Sequence, residues 1–188
     1  MFKQSTLLIL LGLASLLTGC KKDFTASEPA AASVQPSQIY YTQFSLFQEK
    51  NNFRTTNYRK GILIPINTEV TLVSMDKDDA KLRIASTGEI LNIENVQKHT
   101  NDTMPIAFSK IVSTGKVDLN QFSPAERESI IAGKAIKGMS KKAVIAAIGY
   151  PPITETPSLE GNAWTYWANR FNRFIVHFKN GKVENIVD

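Results

Sequence analysis

Two histidines, one cysteine and a short run of aspartates are the side chains of this 188-residue chain best suited to chemistry. Neither His99 nor His177 stands in a recognised metal-ligand motif with a second histidine or carboxylate. In Phe174-Ile175-Val176-His177-Phe178 the alternation of a strand turns His177 away from Val176 and Phe178, so it is expected at a rim or facing solvent, and His99 in a loop. Asp76, Asp78 and Asp79 begin like a calcium loop, but the rest of that loop, including its closing glutamate, is missing, which leaves a solvated turn. There is no Gly-x-Ser-x-Gly, and no Ser-x-x-Lys with its partner motifs. The expectation is a chain that is not an enzyme and takes neither metal nor cofactor.

Binding is the other kind of chemistry. Asn169-Arg170-Phe171-Asn172-Arg173 sets two arginines around an aromatic residue, the types favoured at interface hot spots, and an arginine there also suits a lipid phosphate. The alternative is a polar hairpin turn with Phe171 folded onto the core. Trp167 alternates away from Trp164 and Tyr166, which places it on an open sheet face where a partner would dock. In Gly138-Met139-Ser140-Lys141-Lys142, the two lysines lie at a helix start, where an anion or acidic head group is also favoured. The spacing is not that of a phosphate loop, because the glycines Gly138 and Gly149 enclose the helix.

These residues need elements to hold them. Lys3 followed by the apolar run Leu7–Leu17 has the form of a signal-peptide core, too short to cross about 30 Å of hydrocarbon. It leads through Leu17-Thr18-Gly19 to Cys20, the only cysteine. That tetrad resembles the lipobox of bacterial lipoproteins, which implies cleavage after Gly19, acylation of Cys20 and anchorage with no free thiol left. Loss of residues 1–19 removes Lys3 and leaves 21 basic against 17 acidic residues. With no block of basic residues and no aromatic–basic alternation, nucleic acid is not an expected partner. Residues 20–38, rich in Ala, Ser and Pro, read as the lipidated cysteine and a flexible tether.

Residues 39–120 read as a small mainly-β, SH3-like module of four or five short strands, with Pro65 confining Gly61–Ile66 to an edge or an end. A short helix capped by Thr103 would follow them. Residues 121–188 read as two helices and three strands. Ser123-Pro124-Ala125-Glu126 is a capping box opening a helix to about Ala135, with Ile130 and Ile131 turned inward. Ser140 caps the second helix and Gly149 ends it, and Asn180-Gly181 predicts the final hairpin.

That order, with Gly138, Met139, Ser140, Gly149, Pro151, Trp164, Tyr166, Val176, Phe178, Gly181 and Val183 in sequence, resembles the SmpA/OmlA (BamE-like) domain family over about residues 130–188. The resemblance implies an α+β fold class, with a C-terminal two-helix plus three-stranded antiparallel (ααβββ) domain behind the SH3-like module. It further implies an outer-membrane lipoprotein facing the periplasm. Its role would be that of a non-catalytic interaction module for envelope proteins, the β-barrel assembly machinery among them. The alternatives left open are a ligand or peptidoglycan binder acting through the SH3-like module, and an inhibitor of a periplasmic enzyme.

Overall fold

The computed structural model describes residues 37–188. The leader, Gly19, Cys20 and the tether through residue 36 lie outside the described residues. Among the described residues no helix is long and apolar enough to cross a membrane.

The first part is built on period-two strands. In β5 (Glu69–Met75), β6 (Asp79–Ile84) and β7 (Ile90–Glu94), the buried residues Val70, Leu72, Ala80, Leu82, Ile84, Leu91 and Ile93 alternate with more exposed ones, as a sheet with one covered face requires. Asp76 Oδ1 makes the β5–β6 turn by accepting the N–H groups of Asp78 and Asp79. These strands join β1 (Ile39–Thr42), β3 (Asn52–Arg54) and β8 (Val112–Ser113) in a six-stranded curled sheet of order β3-β7-β6-β5-β1-β8. β3 pairs parallel to β7, and the other neighbours pair antiparallel. β2 (Leu46–Gln48) and β4 (Ile62–Ile64) form a separate two-stranded sheet, so Pro65 does stand just past a strand end.

The one-turn helix α1 (Gln97–Thr100) is followed by α2 (Met104–Ile111). Met104, Ala107, Phe108 and Ile111 of α2 are buried at spacings of three and four, the stripe that one helix face gives to a sheet. Phe108 meets Tyr40 of β1 edge to face, with ring centroids 5.2 Å apart. Thr103 occupies the position before α2, but its side chain makes no capping hydrogen bond.

After a 3₁₀ turn at Leu119–Gln121 come α3 (Pro124–Ile131) and α4 (Lys141–Ile148). They pack with β9 (Ala163–Trp167), β10 (Arg173–Lys179) and β11 (Lys182–Val187), a three-stranded sheet of order β11-β10-β9. The capping box on α3 is present in full. Glu126 also reaches past its own helix to accept the N–H of Ser140, so one carboxylate ties the starts of both helices. Burial opposes its charge, but the Ser140 and Ser123 N–H groups outweigh burial and hold its pKa at about 2. α3 ends earlier than expected, and Ile131 is exposed while Ile130 is fully buried.

The expected fold class is overturned. The architecture is a mixed α/β chain, with eleven strands and four helices among the described residues and a six-stranded curled sheet. It does not match a two-helix plus three-strand domain behind a small SH3-like module. Two sequence-distant pairings escaped local pattern reading: a three-residue strand joined parallel to β7, and the two-residue β8 on β1. Contacts also run between the sheets. Ile66 belongs to the core of the C-terminal helices, Ser45 Oγ donates to Ile130 O at 2.6 Å, and Ser45 N donates to Ala146 O at 3.1 Å.

Candidate functional site

The segment Thr55–Lys60, between β3 and β4, is a pin that joins the bend before β2, the turn after α3 and the end of α4. Asn57 adopts a positive φ of 60° and donates through Nδ2 to Ile148 O at 2.6 Å and Tyr150 O at 3.0 Å, holding the carbonyls that α4 leaves unpaired. Arg59 adds its fork: Nη2 to Gly133 O at 2.9 Å, and Nη1 to Ser45 O, Asn57 Oδ1 and Ile148 O at 3.2–3.3 Å. Its guanidinium lies 4.6 Å from the Phe47 ring centroid. Burial lowers its pKa to about 10, so it stays charged at neutral pH and acts as a cation at the carbonyl end of α4.

Directly beside this pin, Gly149 has φ 72°, and a Cβ there would stand 2.6 Å from the Phe44 ring. Only glycine permits both the backbone turn and the close approach. Tyr166 donates to its carbonyl at 3.0 Å, and burial raises the phenol pKa well above the ordinary value, so it remains a donor. The chain leaving Gly149 then runs as Tyr150-Pro151-Pro152 past Phe44, whose ring meets Tyr150 edge to face, to α1. Ile153 N donates to His99 O at 2.8 Å, and His99 Nδ1 lies 3.0 Å from Thr154 Oγ1.

A cleft of about 200 Å³ opens between these parts. Phe44 from the bend after β1, Phe53 of β3, and Ala107 and Ile111 of α2 line one side; Tyr150, Ile153 and Leu159 line it from the 149–159 segment. The last three keep 36–38% of their surface exposed, so apolar side chains stand at its mouth. Lys110 pairs with Asp102 and lies 5.8 Å from the Tyr150 ring centroid. Burial, then the charge of Lys98, lowers the His99 pKa. A threonine beside a histidine is part of a nucleophile arrangement, but among the described residues no carboxylate bonds the other ring nitrogen. Nor does any group of three or more His, Cys, Asp or Glu among them stand close enough to hold a metal ion. The cleft offers an apolar group the side chains of Phe44, Phe53, Ile111, Tyr150 and Ile153 to pack against.

The residues singled out from sequence lie elsewhere. Phe171 is 79% exposed at the tip of the β9–β10 hairpin, so it is not folded onto the core. Asn169 Oδ1 accepts the N–H groups of Phe171 and Asn172 and fixes the turn; the Arg170 guanidinium lies 5.0 Å from the Phe171 ring. Arg173 lies over Trp167 at 4.6 Å and pairs with Glu155 at 3.0 Å. Trp167 also meets Tyr58 edge to face, and its Nε1 is buried with no hydrogen-bond partner among the described residues. Arg170, Phe171, Arg173 and Trp167 thus form one patch, apart from the cleft lining.

Lys141 and Lys142 are otherwise engaged. Lys141 Nζ donates to the carbonyls of Leu159, Glu160 and Gly161 at 2.8–3.0 Å and lies over Trp164 and Phe178, while Lys142 donates to Gln121 Oε1. The three protons that an anion would need at Lys141 close the 158–161 loop instead. His177 sits half-buried on the sheet face away from Val176 and Phe178.

Sequence reasoning did not reach the cleft. Its one local sign was Gly149-Tyr150-Pro151-Pro152, a helix stop whose two prolines force the chain out and across, followed by apolar residues in a loop. Compared with family models, with curated proteins and with solved structures, the chain matches none.

Proposed function

We propose that this protein is a non-catalytic binding module of the bacterial envelope, held at the outer membrane by acylation of Cys20 and facing the periplasm. The observation that carries the binding reading is the cleft, whose mouth keeps Tyr150, Ile153 and Leu159 exposed around an apolar interior. Its partner is an envelope protein that inserts an apolar group there. The Arg170–Phe171 hairpin tip supplies a second contact of the arginine–aromatic kind. The anchorage rests on the leader from Leu7 to Cys20. The link to outer-membrane protein assembly rests on the spaced residues from Gly138 to Val183, taken as a likeness of sequence and not of fold.

Two measurements test this reading. A photo-crosslinking residue at Ile153 should trap a discrete envelope protein in cells, whereas one at Val73, exposed on β5 outside the cleft lining, should not. Equal trapping from both positions, or none from either, overturns the cleft as the binding surface. Cys20→Ala should move the protein from the membrane to the soluble fraction, and retention in the membrane would refute the anchor.

A further inference from the structure

We infer that the apolar group this cleft takes is a single aromatic ring, the side chain of a phenylalanine within the partner polypeptide. This rests on reading the cleft as a binding site and goes beyond it by naming the group that enters.

Size suits one ring. An apolar cavity of about 150 Å³ accepts benzene, and this one measures about 200 Å³. A phenyl ring therefore fits with the methylene that carries it.

The rings of the lining decide between an aromatic guest and a saturated one. Phe44 stands between Phe53 and Tyr150, its ring centroid 6.2 Å from the first at 58° and 6.3 Å from the second at 84°. All three rings border the cavity. Tilted and edge-to-face pairs with centroids about 4.5–7 Å apart bring the positive edge of one ring to the negative face of another. A guest ring set among the same three finds such partners and continues the cluster. Lys110, whose ammonium lies 5.8 Å from the Tyr150 ring centroid, brings a cation to the same mouth, where a second ring face is also favoured. A saturated ring has neither the edge nor the face to answer them. Ile111 and Ile153 pack against either guest, so they leave the choice to the rings.

The mouth points to a polypeptide as the carrier. Lys110 and the Tyr150 hydroxyl can donate there, while Asp102 Oδ1 and His99 Nε2 make no hydrogen bond among the described residues and can accept. Glu160 beside Leu159 offsets Lys98 beside His99, so charge does not sort the guests. Donors and acceptors side by side fit the N–H and C=O groups of a main chain. Tyr150, Ile153 and Leu159 also keep 36–38% of their surface exposed. A chain lying across the mouth covers them as its ring enters, whereas a free ring leaves them in water.

The test uses the full acylated chain in lipid nanodiscs, so that detergent does not compete for the cleft. Titration calorimetry compares acetyl-Gly-Phe-Gly-amide with the same peptide carrying cyclohexylalanine. Burial of apolar surface alone favours the larger saturated ring, so the sign of the difference is diagnostic. The phenylalanine peptide should bind about three- to tenfold more tightly, the worth of one or two ring contacts. Tyr150→Leu changes a side chain that is 38% exposed and so spares the fold; it should narrow that ratio and leave the affinity for the cyclohexylalanine peptide nearly unchanged. Free 3-phenylpropanol should bind more weakly than the phenylalanine peptide, and tighter binding of the alcohol would overturn the polypeptide carrier. A ratio that Tyr150→Leu does not narrow overturns the inference, because the ring is then bound elsewhere. Equal or tighter binding of the cyclohexylalanine peptide overturns it too, while leaving the apolar-binding reading in place. Binding of neither peptide overturns both.

Discussion

Replacing Arg59 with Met removes the guanidinium while keeping most of its stem volume. Burial lowers the Arg59 pKa from 12.5 to about 10, equivalent to about 3 kcal/mol against the buried charge. Against that stand the four shorter of its five hydrogen bonds, to Ser45 O, Asn57 Oδ1, Gly133 O and Ile148 O, the fifth reaching Ala147 O at 3.5 Å. At about 1.5 kcal/mol each they contribute about 6 kcal/mol, and the contact with Phe47 adds about 1 kcal/mol. The hydrogen bonds win, so Arg59→Met should destabilise the fold by about 4 kcal/mol. Arg59→Lys should do no better, because an ammonium keeps the burial cost and cannot fork across carbonyls on three segments. Urea unfolding followed by far-ultraviolet circular dichroism reads both variants. In a chain of this size a loss of 4 kcal/mol also lowers Tm by about 10 °C. A Met variant within about 1 kcal/mol of wild type would refute the reasoning. So would a Lys variant with full stability, since that would make the charge at the α4 end sufficient without the fork.

Three further outcomes are expected. Glu126 has its folded pKa depressed to about 2 from the ordinary 4.5, so its stabilising contribution is complete above 4.5 and is lost as pH falls towards 2; Glu126→Gln should flatten that acid limb in pH-dependent melting, and an unchanged limb would place the acid sensitivity elsewhere. Gly149→Ala forces a Cβ against the Phe44 ring and a positive φ on alanine, and should cost about 2–4 kcal/mol in urea unfolding, with a neutral result showing that the turn can relax. Lys141→Met should increase proteolytic cleavage within 158–161, where three carbonyls lose their donor, and 10 mM inorganic phosphate should leave the wild-type Tm unchanged, whereas a clear rise would restore the anion reading of Lys141 and Lys142.

What the sequence determined is local. Ser123 with Glu126, Ser140 at its helix start and Asn180-Gly181 with positive φ at both residues occupy the positions their types demand, because caps and tight turns are satisfied within a few residues. The alternation of β5 to β7 is equally local, since one covered face imposes period two. The exposure of Phe171 was not decided there. An aromatic residue in a turn can fold in or stand out, and the Asn169 turn together with the neighbouring packing chose the second. The parallel β3–β7 pair and the β1–β8 closure join segments far apart in the chain, and neither leaves a periodic trace. Asn57 and Arg59 read as unremarkable polar loop residues, yet their partners Gly133, Ile148 and Tyr150 lie more than seventy positions away. The cleft depends on that same long-range seating of one segment on another. Only the tertiary structure decides it, because a concave surface belongs to two pieces of chain and to neither alone.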